Sequence, residues 1–318
     1  MKSSDVRVLE KSPIFVVGCS RSGTTLLRLM LTCHPDVCIP PESSFIAKLY
    51  PNWGHRSVQT RNQIQQLCDE LYSCDKKFRD WGLGRKQILG SLENIRPFSF
   101  REFVDTIYSQ YMEQTNKNGA RWGDKNPQYV NRIRLVMDLF PKAKFLHIIR
   151  DGRAVFNSFI KANCIQGRIY PNTPYEAAQY WCDALKAVYP FRKHPNYFEL
   201  RYEDLVTNPE KVLWGLCHFL EITYLPREML SYPYVNVSRQ LVPKHRLAWH
   251  EATLRAVDAD KTSEWRSELT WHQAILFELC AGWELVNHGY DLVLSFTQWR
   301  LLNKTAMRIL KTLRSGCK

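Results

Sequence analysis

An apolar run, Ile14-Phe15-Val16-Val17, passes without a break into Gly18-Cys19-Ser20-Arg21-Ser22-Gly23-Thr24-Thr25. An apolar helical pattern follows at once, carrying Leu26, Leu27, Met30 and Leu31. No other stretch constrains the chain as tightly. A strand that ends in a glycine-bearing turn and opens onto a helix N-terminus is an anion site by construction. Backbone N–H groups point into the turn, and the helix dipole adds about half a positive charge. Gly23 lets the backbone come close to a ligand; Ser22, Thr24 and Thr25 add hydroxyl donors, and Arg21 adds a cation. Gly18 and Gly23 stand at the G-x-x-x-x-G spacing of a nucleoside-triphosphate loop, yet Thr24-Thr25 follows where Lys-Ser/Thr is required. In such loops the lysine covers the β- and γ-phosphates and the hydroxyl holds magnesium. Without the lysine, the loop suits a diphosphate-like group with a less charged end, bound without metal.

The rest of the chain alternates helices with strands. Thr24 to His34 reads as a helix stopped by Pro35. Ser99-x-x-Glu102, Thr173-Pro174-Tyr175-Glu176, Asn208-Pro209 and Thr270-x-x-Gln273 open four more. Lys144 to Ile149 and Tyr197 to Arg201 are short apolar runs of strand length. This alternation predicts an α/β fold: a P-loop-like, largely parallel sheet flanked by helices. One domain is expected over 13–292, after an N-terminal tail of 1–12. Within it, 50–118 carries few strand signals and reads as a helical insertion beside the first strand–helix unit.

Charge narrows the partners. Lys plus Arg number 44 against 31 acids, a net charge of +13. Such an excess favours nucleotides, phosphates, sulfates, nucleic acid or anionic lipid. No zinc-finger, helix-turn-helix or RNA-motif pattern supports nucleic acid, and none is expected as a partner. The ten cysteines are scattered without a C-x-x-C pair, so no metal site is expected. No stretch approaches the ~20 apolar residues of a membrane span. Met1 to Lys11 is polar and lacks the apolar core of a signal peptide, so a cytoplasmic location is expected.

A less charged tetrahedral end on a diphosphate-like group describes a sulfuryl group. The common sulfuryl donor, 3′-phosphoadenosine 5′-phosphosulfate (PAPS), also carries a 3′-phosphate, which calls for a second anion site. Arg150-Asp151-Gly152-Arg153, with Ser158 beyond it, follows the run Lys144 to Ile149. Arg150 would stand at the strand's carboxyl end, where ligands of open α/β sheets bind. Ser158 would lie about two turns into the next helix, roughly 9 Å along its axis. An arginine fork and a hydroxyl can meet on one phosphate.

Taken together, Arg21-Ser22-Gly23-Thr24-Thr25-Leu26 and Arg150-Asp151-Gly152-Arg153...Ser158 resemble the 5′-phosphosulfate loop and the 3′-phosphate motif of the PAPS-dependent sulfotransferases. Within that family the chain is most similar to the tyrosylprotein sulfotransferases and their bacterial relatives. The likeness runs from about Ile14 to Leu292, outside the insertion. It takes in His34-Pro35, Trp122-Gly123-Asp124-Lys125-Asn126-Pro127, Arg201-Tyr202-Glu203-Asp204-Leu205 and Ser263-Glu264-Trp265.

The resemblance implies PAPS as donor, no metal, and in-line transfer to a hydroxyl or amine. It makes Glu42, in Pro40-Pro41-Glu42-Ser43, the base, with Lys125 and Arg21 at the leaving oxygen. Ser263 would also contact the donor, and Tyr202 would line the adenine pocket. Read without the family, Glu42 is a solvated loop glutamate, Lys125 an ordinary lysine and Tyr202 a core tyrosine. His34 is the rival base, or else the residue that closes the first helix. Two departures bear on the acceptor. Tyrosylprotein enzymes carry an arginine two residues after the glutamate, where this chain has Ser44 and, farther on, Lys48; they also begin with a membrane anchor, and none is expected here. A small-molecule or sugar acceptor is therefore expected, reached through an insertion that shapes the acceptor side. The alternatives are a protein-tyrosine acceptor and a P-loop kinase-like nucleotide enzyme.

The segment 293–318 reads as a basic amphipathic helix. From Ser295 it holds Arg300, Lys304, Arg308, Lys311, Arg314 and Lys318 and no acid. Such a helix can dock on a partner, a membrane face or an acidic substrate. The segment is expected to pack on its own domain through Trp299 and the leucines. The oligomeric state is left open, a homodimer included.

Overall fold

Why the first apolar run is apolar at every position is explained by what lies on either side of it. Ile14–Gly18 (β1) is the middle strand of a five-stranded parallel sheet, and both of its faces are covered. The other strands are Val37–Cys38 (β2), Arg121–Lys125 (β5), Lys144–Ile149 (β6) and Tyr197–Arg201 (β7), in the order β2-β5-β1-β6-β7. Ser57–Val58 (β3) and Phe98–Ser99 (β4) pair antiparallel as a separate ribbon. The computed structural model describes residues 12–93 and 97–303; the expected tail helix beyond residue 303 and the N-terminal residues 1–11 lie outside them.

The helices in chain order are α1 (Thr24–Cys33), α2 (Phe45–Trp53), α3 (Arg61–Cys74), α4 (Arg85–Glu93), α5 (Phe100–Gln114), α6 (Ile133–Leu139) and α7 (Gly152–Gln166). They continue with α8 (Pro174–Val188), α9 (Tyr202–Thr207), α10 (Pro209–Leu220), α11 (Pro226–Leu230), α12 (Tyr232–Arg239), α13 (Trp265–Glu268) and α14 (Trp271–Asn287). Ile14 and Val16 face a core built with Leu27 and Met30 of α1, Leu216 of α10 and Met229 of α11. Phe15 and Val17 face the other core, with Phe156 of α7, Trp181 of α8 and Phe277 of α14. That second core also takes in Phe45, Leu67, Trp81, Phe103 and Tyr108 from the segment between β2 and β5.

The strands expected at Lys144–Ile149 and Tyr197–Arg201 are present with those bounds. α1 ends one residue before the expected His34, which takes extended backbone ahead of Pro35. β5 was not expected, because Arg121-Trp-Gly-Asp-Lys125 has no apolar run. It is a strand because β1 pairs with it on one side and β2 on the other. Gly123 permits this: a Cβ there would lie 2.9 Å from the carbonyl oxygen of Ile14. Lys125 is thus the last residue of an interior strand, just before the 3-10 turn Pro127–Arg132.

Because the strands run parallel, their carboxyl ends share one edge. The loop 19–23 leaves β1 there, Lys125 ends β5, Arg150 follows β6 and Tyr202 follows β7. β5 and β6 flank β1 on opposite sides, so the strand order reverses at β1, where open α/β sheets leave a crevice.

Candidate active site

The first loop is shaped by its glycine and its arginine. Gly23 takes φ 96°, and a Cβ on it would fall 2.4 Å from Cδ2 of the Tyr202 ring. Only glycine lets that ring sit against the turn. Gly23 is also the N-cap of α1, where no side chain caps the helix and no acid stands in the first turn. The leading N–H groups of such a helix start can serve an anion. Ser22 is fully buried beside Cys19, with which its side chain interacts. Arg21 adopts a left-handed backbone, φ 70°, uncommon outside glycine, and its Nε donates to Oγ of Ser158 at 3.0 Å. Burial lowers the Arg21 pKa from the ordinary arginine value, against a raising contribution from Tyr170.

Arg150 faces the same space. Its two terminal nitrogens donate to the carbonyls of Arg21 (3.3 Å) and Lys261 (3.2 Å), and its guanidinium lies 4.4 Å from the Tyr202 ring centroid. Its Nε is buried without a partner. The helix that follows is fixed by a buried ionic cluster. Asp151 caps α7 and binds Arg153 through two side-chain contacts at 3.0 and 2.7 Å. Arg153 also donates to Glu278 (2.5 Å) and to the carbonyl of Asp291 (2.8 Å), and lies 4.0 Å from the Trp265 ring centroid. These partners compensate a guanidinium with no solvent exposure. They also fix the start of α7, the helix that carries Ser158.

Glu42 lies opposite. Its Oε2 accepts from Nζ of Lys125 and its Oε1 from Nζ of Lys77, both at 2.5 Å. Burial alone would push the Glu42 pKa up; the two ammonium groups outweigh it and hold the carboxyl well below the usual range. Lys125, 5% exposed, has its own pKa lowered by burial, with Glu42 opposing. The loop that carries Glu42 is pinned by Asn126, whose Nδ2 donates to the Ser43 carbonyl (2.9 Å) and to Ser44 Oγ (3.1 Å).

A cavity of about 1000 Å³ has Arg21, Thr24, Glu42, Arg150, Ser158 and Tyr202 among its walls, whereas Ser22 and Lys125 are buried and do not line it. Gly23 and Thr25 also line it. Ser263 does not come into the cavity lining; it is exposed, and its hydroxyl donates to the Asp260 carbonyl of its own turn. His34 lies at the far end of α1, with Nε2 2.8 Å from the Thr223 carbonyl and Nδ1 accepting from the Asp36 N–H. Lys48 turns away to the Cys74 carbonyl (2.7 Å) and Asp75 (3.6 Å). Residues the sequence did not mark also line the cavity: Lys77, Tyr170, Tyr180 and His250. Burial, with Lys125 and Arg21 nearby, pushes the His250 pKa down to about 3. None of the four stands in a pattern that a sequence reading could have singled out. Among the described residues no group of His, Cys, Asp and Glu is placed to hold a metal ion, and no helix is long and apolar enough to cross a membrane.

Comparison with known proteins matches the sequence to a family. The model of the Sulfotransferase family matches residues 13–226. A protein-tyrosine sulfotransferase of Drosophila melanogaster is 22% identical over 259 residues, covering 80% of this chain and 47% of that protein. The ω-hydroxy-β-dihydromenaquinone-9 sulfotransferase of Mycobacterium bovis is 24% identical over 258 residues, covering 69% of this chain and 66% of that one. The chain spans about half the length of the curated tyrosine sulfotransferases it matches. Among solved structures, the sulfotransferase domain of the curacin biosynthetic pathway shares the fold, with a TM-score of 0.61 at 20% identity over 88% of this chain and 98% of that one. The family match takes in the first loop, Glu42, Lys125 and the Arg150–Ser158 motif, and the chain belongs to the sulfotransferase family.

Proposed function

We propose that the protein transfers a sulfuryl group from PAPS to a hydroxyl or amine of a small-molecule or carbohydrate acceptor. One observation carries the donor: Arg21, Thr24 and Thr25 of the first anion motif line one cavity with Arg150 and Ser158 of the second, and Arg21 Nε donates to Ser158 Oγ between them. A ligand with one anionic group for each motif would satisfy both. In this reading Ser22, Gly23, Thr24 and Thr25 hold the 5′-phosphosulfate at the helix N-terminus. Arg150 and Ser158 hold the 3′-phosphate, and Tyr202 flanks the adenine. The donor supplies an electrophilic sulfur; the protein supplies placement and charge. Glu42 accepts the acceptor's proton, while Lys125 and Arg21 offset charge at the leaving oxygen. In this reading the Lys125 ammonium, which contacts Oε2 of Glu42, passes to the leaving oxygen.

The acceptor reading rests on what stands near Glu42. Ser44 occupies the position two residues on, its hydroxyl taken by Asn126, and Lys48 is held by Asp75. A grip on an acidic peptide is missing at both positions. Relatives named for protein tyrosine and for a hydroxylated menaquinone fall on either side of the question. The test has two arms. Adenosine 3′,5′-bisphosphate without metal should raise the melting temperature, whereas a kinase-like enzyme would respond to ATP with magnesium instead. Incubation with PAPS and pooled metabolites should then yield a product heavier by one sulfuryl group. A sulfated tyrosine peptide as the sole product would replace the small-molecule acceptor.

A further inference from the structure

The two lysines on Glu42 are not equivalent. Lys125 ends an interior strand and is 5% exposed; Lys77 comes from the 3-10 turn Lys76–Trp81 at the rim and is 47% exposed. We infer that Lys77 is a positioning residue, which stays on Oε1 of Glu42 when Lys125 leaves Oε2 and so keeps that oxygen free and ionised for the acceptor's proton. The inference rests on the sulfotransferase reading above. If the Lys125 charge is used at the leaving oxygen, Glu42 loses one of two counter-charges in a setting where burial favours the protonated form. A protonated carboxyl cannot accept. Lys77 is the group in hydrogen-bond contact that remains.

The contact is built rather than incidental. The Asp75 carboxylate accepts from the Lys77 backbone N–H (3.1 Å), from Ser43 Oγ (2.8 Å) and from the Ser44 N–H. One side chain therefore ties the turn bearing Lys77 to the loop bearing Glu42. At the other end of the turn, Trp81 Nε1 donates to the Pro41 carbonyl at 2.8 Å. Turn and loop form one unit, with the ion pair between its two ties. Other charged and titratable groups act on Glu42 without such contact: Arg21 from the first loop, Arg28 from α1, Asp124 from β5, His250, and the hydroxyls of Tyr129 and Tyr180. Arg28 is spent on the Leu241 carbonyl (2.5 Å) and Arg21 on Ser158.

The experiment is a carbon-13 NMR titration of the Glu42 carboxyl in the full chain, with and without adenosine 3′,5′-bisphosphate, the signal assigned by its loss in Glu42→Gln. With the bisphosphate bound, Lys77→Gln should move the titration up by about one pH unit or more, the scale of one adjacent cation. Lys77→Arg should leave it at the wild-type position. A general loss of structure would lower the melting temperature of both variants and would not spare the arginine. If the bisphosphate binds and Lys77→Gln titrates as wild type, the inference is overturned while the donor reading stands. If the bisphosphate does not bind at all, the donor reading falls and takes the inference with it.

Discussion

Nε of Arg21 donates to Oγ of Ser158 across 3.0 Å, joining two motifs 137 residues apart in the chain. The first belongs to the turn after β1 and the second to α7 after β6, neighbouring strands in the sheet. A ligand that reaches one motif reaches the other. Arg150→Ala should weaken binding of adenosine 3′,5′-bisphosphate by roughly 10- to 100-fold, the loss of hydrogen bonds to a charged group. Binding of adenosine 5′-phosphosulfate, which lacks the 3′-phosphate, should change far less. Titration calorimetry with both nucleotides decides it; equal affinity of the wild type for the two would sink the 3′-phosphate assignment.

Glu42→Gln should keep donor affinity and lose turnover by about 10²–10⁴-fold, the range for a positioned base. Lys125→Ala should also lower turnover more than donor binding, because the charge it meets grows during transfer. His34→Ala should cost stability rather than chemistry, since both ring nitrogens are engaged at the end of α1. An active Glu42→Gln beside a dead His34→Ala would reverse the choice of base.

The first loop was legible because its signal is local: an apolar run, two glycines at fixed spacing and a helix start. The same holds for β6 with Arg150, since a strand end and the next turn are adjacent in the chain. β5 was not legible, because its polar residues become a strand only through neighbours on both sides. Lys77 sits in Lys76-Lys77-Phe78-Arg79, which reads as a solvated charge run; its approach to Glu42 depends on Asp75 folding onto Ser43. The sequence also assigned Arg21 and Ser158 to opposite ends of the donor. The left-handed backbone of Arg21, which no residue pattern announces, accompanies its contact with Ser158.

Asp124 gives the site a pH-dependent cost. It is buried at the end of β5, where burial raises its pKa to about 7 against the hydrogen bond donated by the Tyr108 hydroxyl. Between the ordinary value of 3.8 and about 7 the folded chain holds a proton that the unfolded chain has released. Stability therefore falls as pH rises through that window, and the cost is complete above it. Asp124→Asn keeps an acceptor for Tyr108 and removes the titration. Its melting temperature should exceed that of the wild type by about 2 °C or more at pH 8, with the gap closing toward pH 5. Parallel melting curves for the two proteins between those limits would show that Asp124 is ionised at no cost.

Trp299 links the last described helix, residues 296–303, to the cluster beneath α7. It is 1% exposed, packs against Gly282, and its Nε1 donates to the Glu278 carbonyl at 2.7 Å. Glu278 in turn accepts from Arg153 (2.5 Å) and from the Val293 N–H (2.8 Å). Phe296 and Leu301 on the same helix remain exposed, at 42% and 63%. The home-packed face is thus the Trp299 face, and it is anchored to the backbone rather than to the donor wall. Truncation after Leu294 should destabilise the protein by about 3 kcal/mol or more, the scale of removing a buried tryptophan. Affinity for adenosine 3′,5′-bisphosphate should change by less than about threefold, because Arg153 keeps Asp151 and Glu278. Denaturant unfolding and calorimetry on the truncated chain measure the two quantities. A truncated protein as stable as the full chain that no longer binds anionic vesicles would instead make this segment a membrane contact.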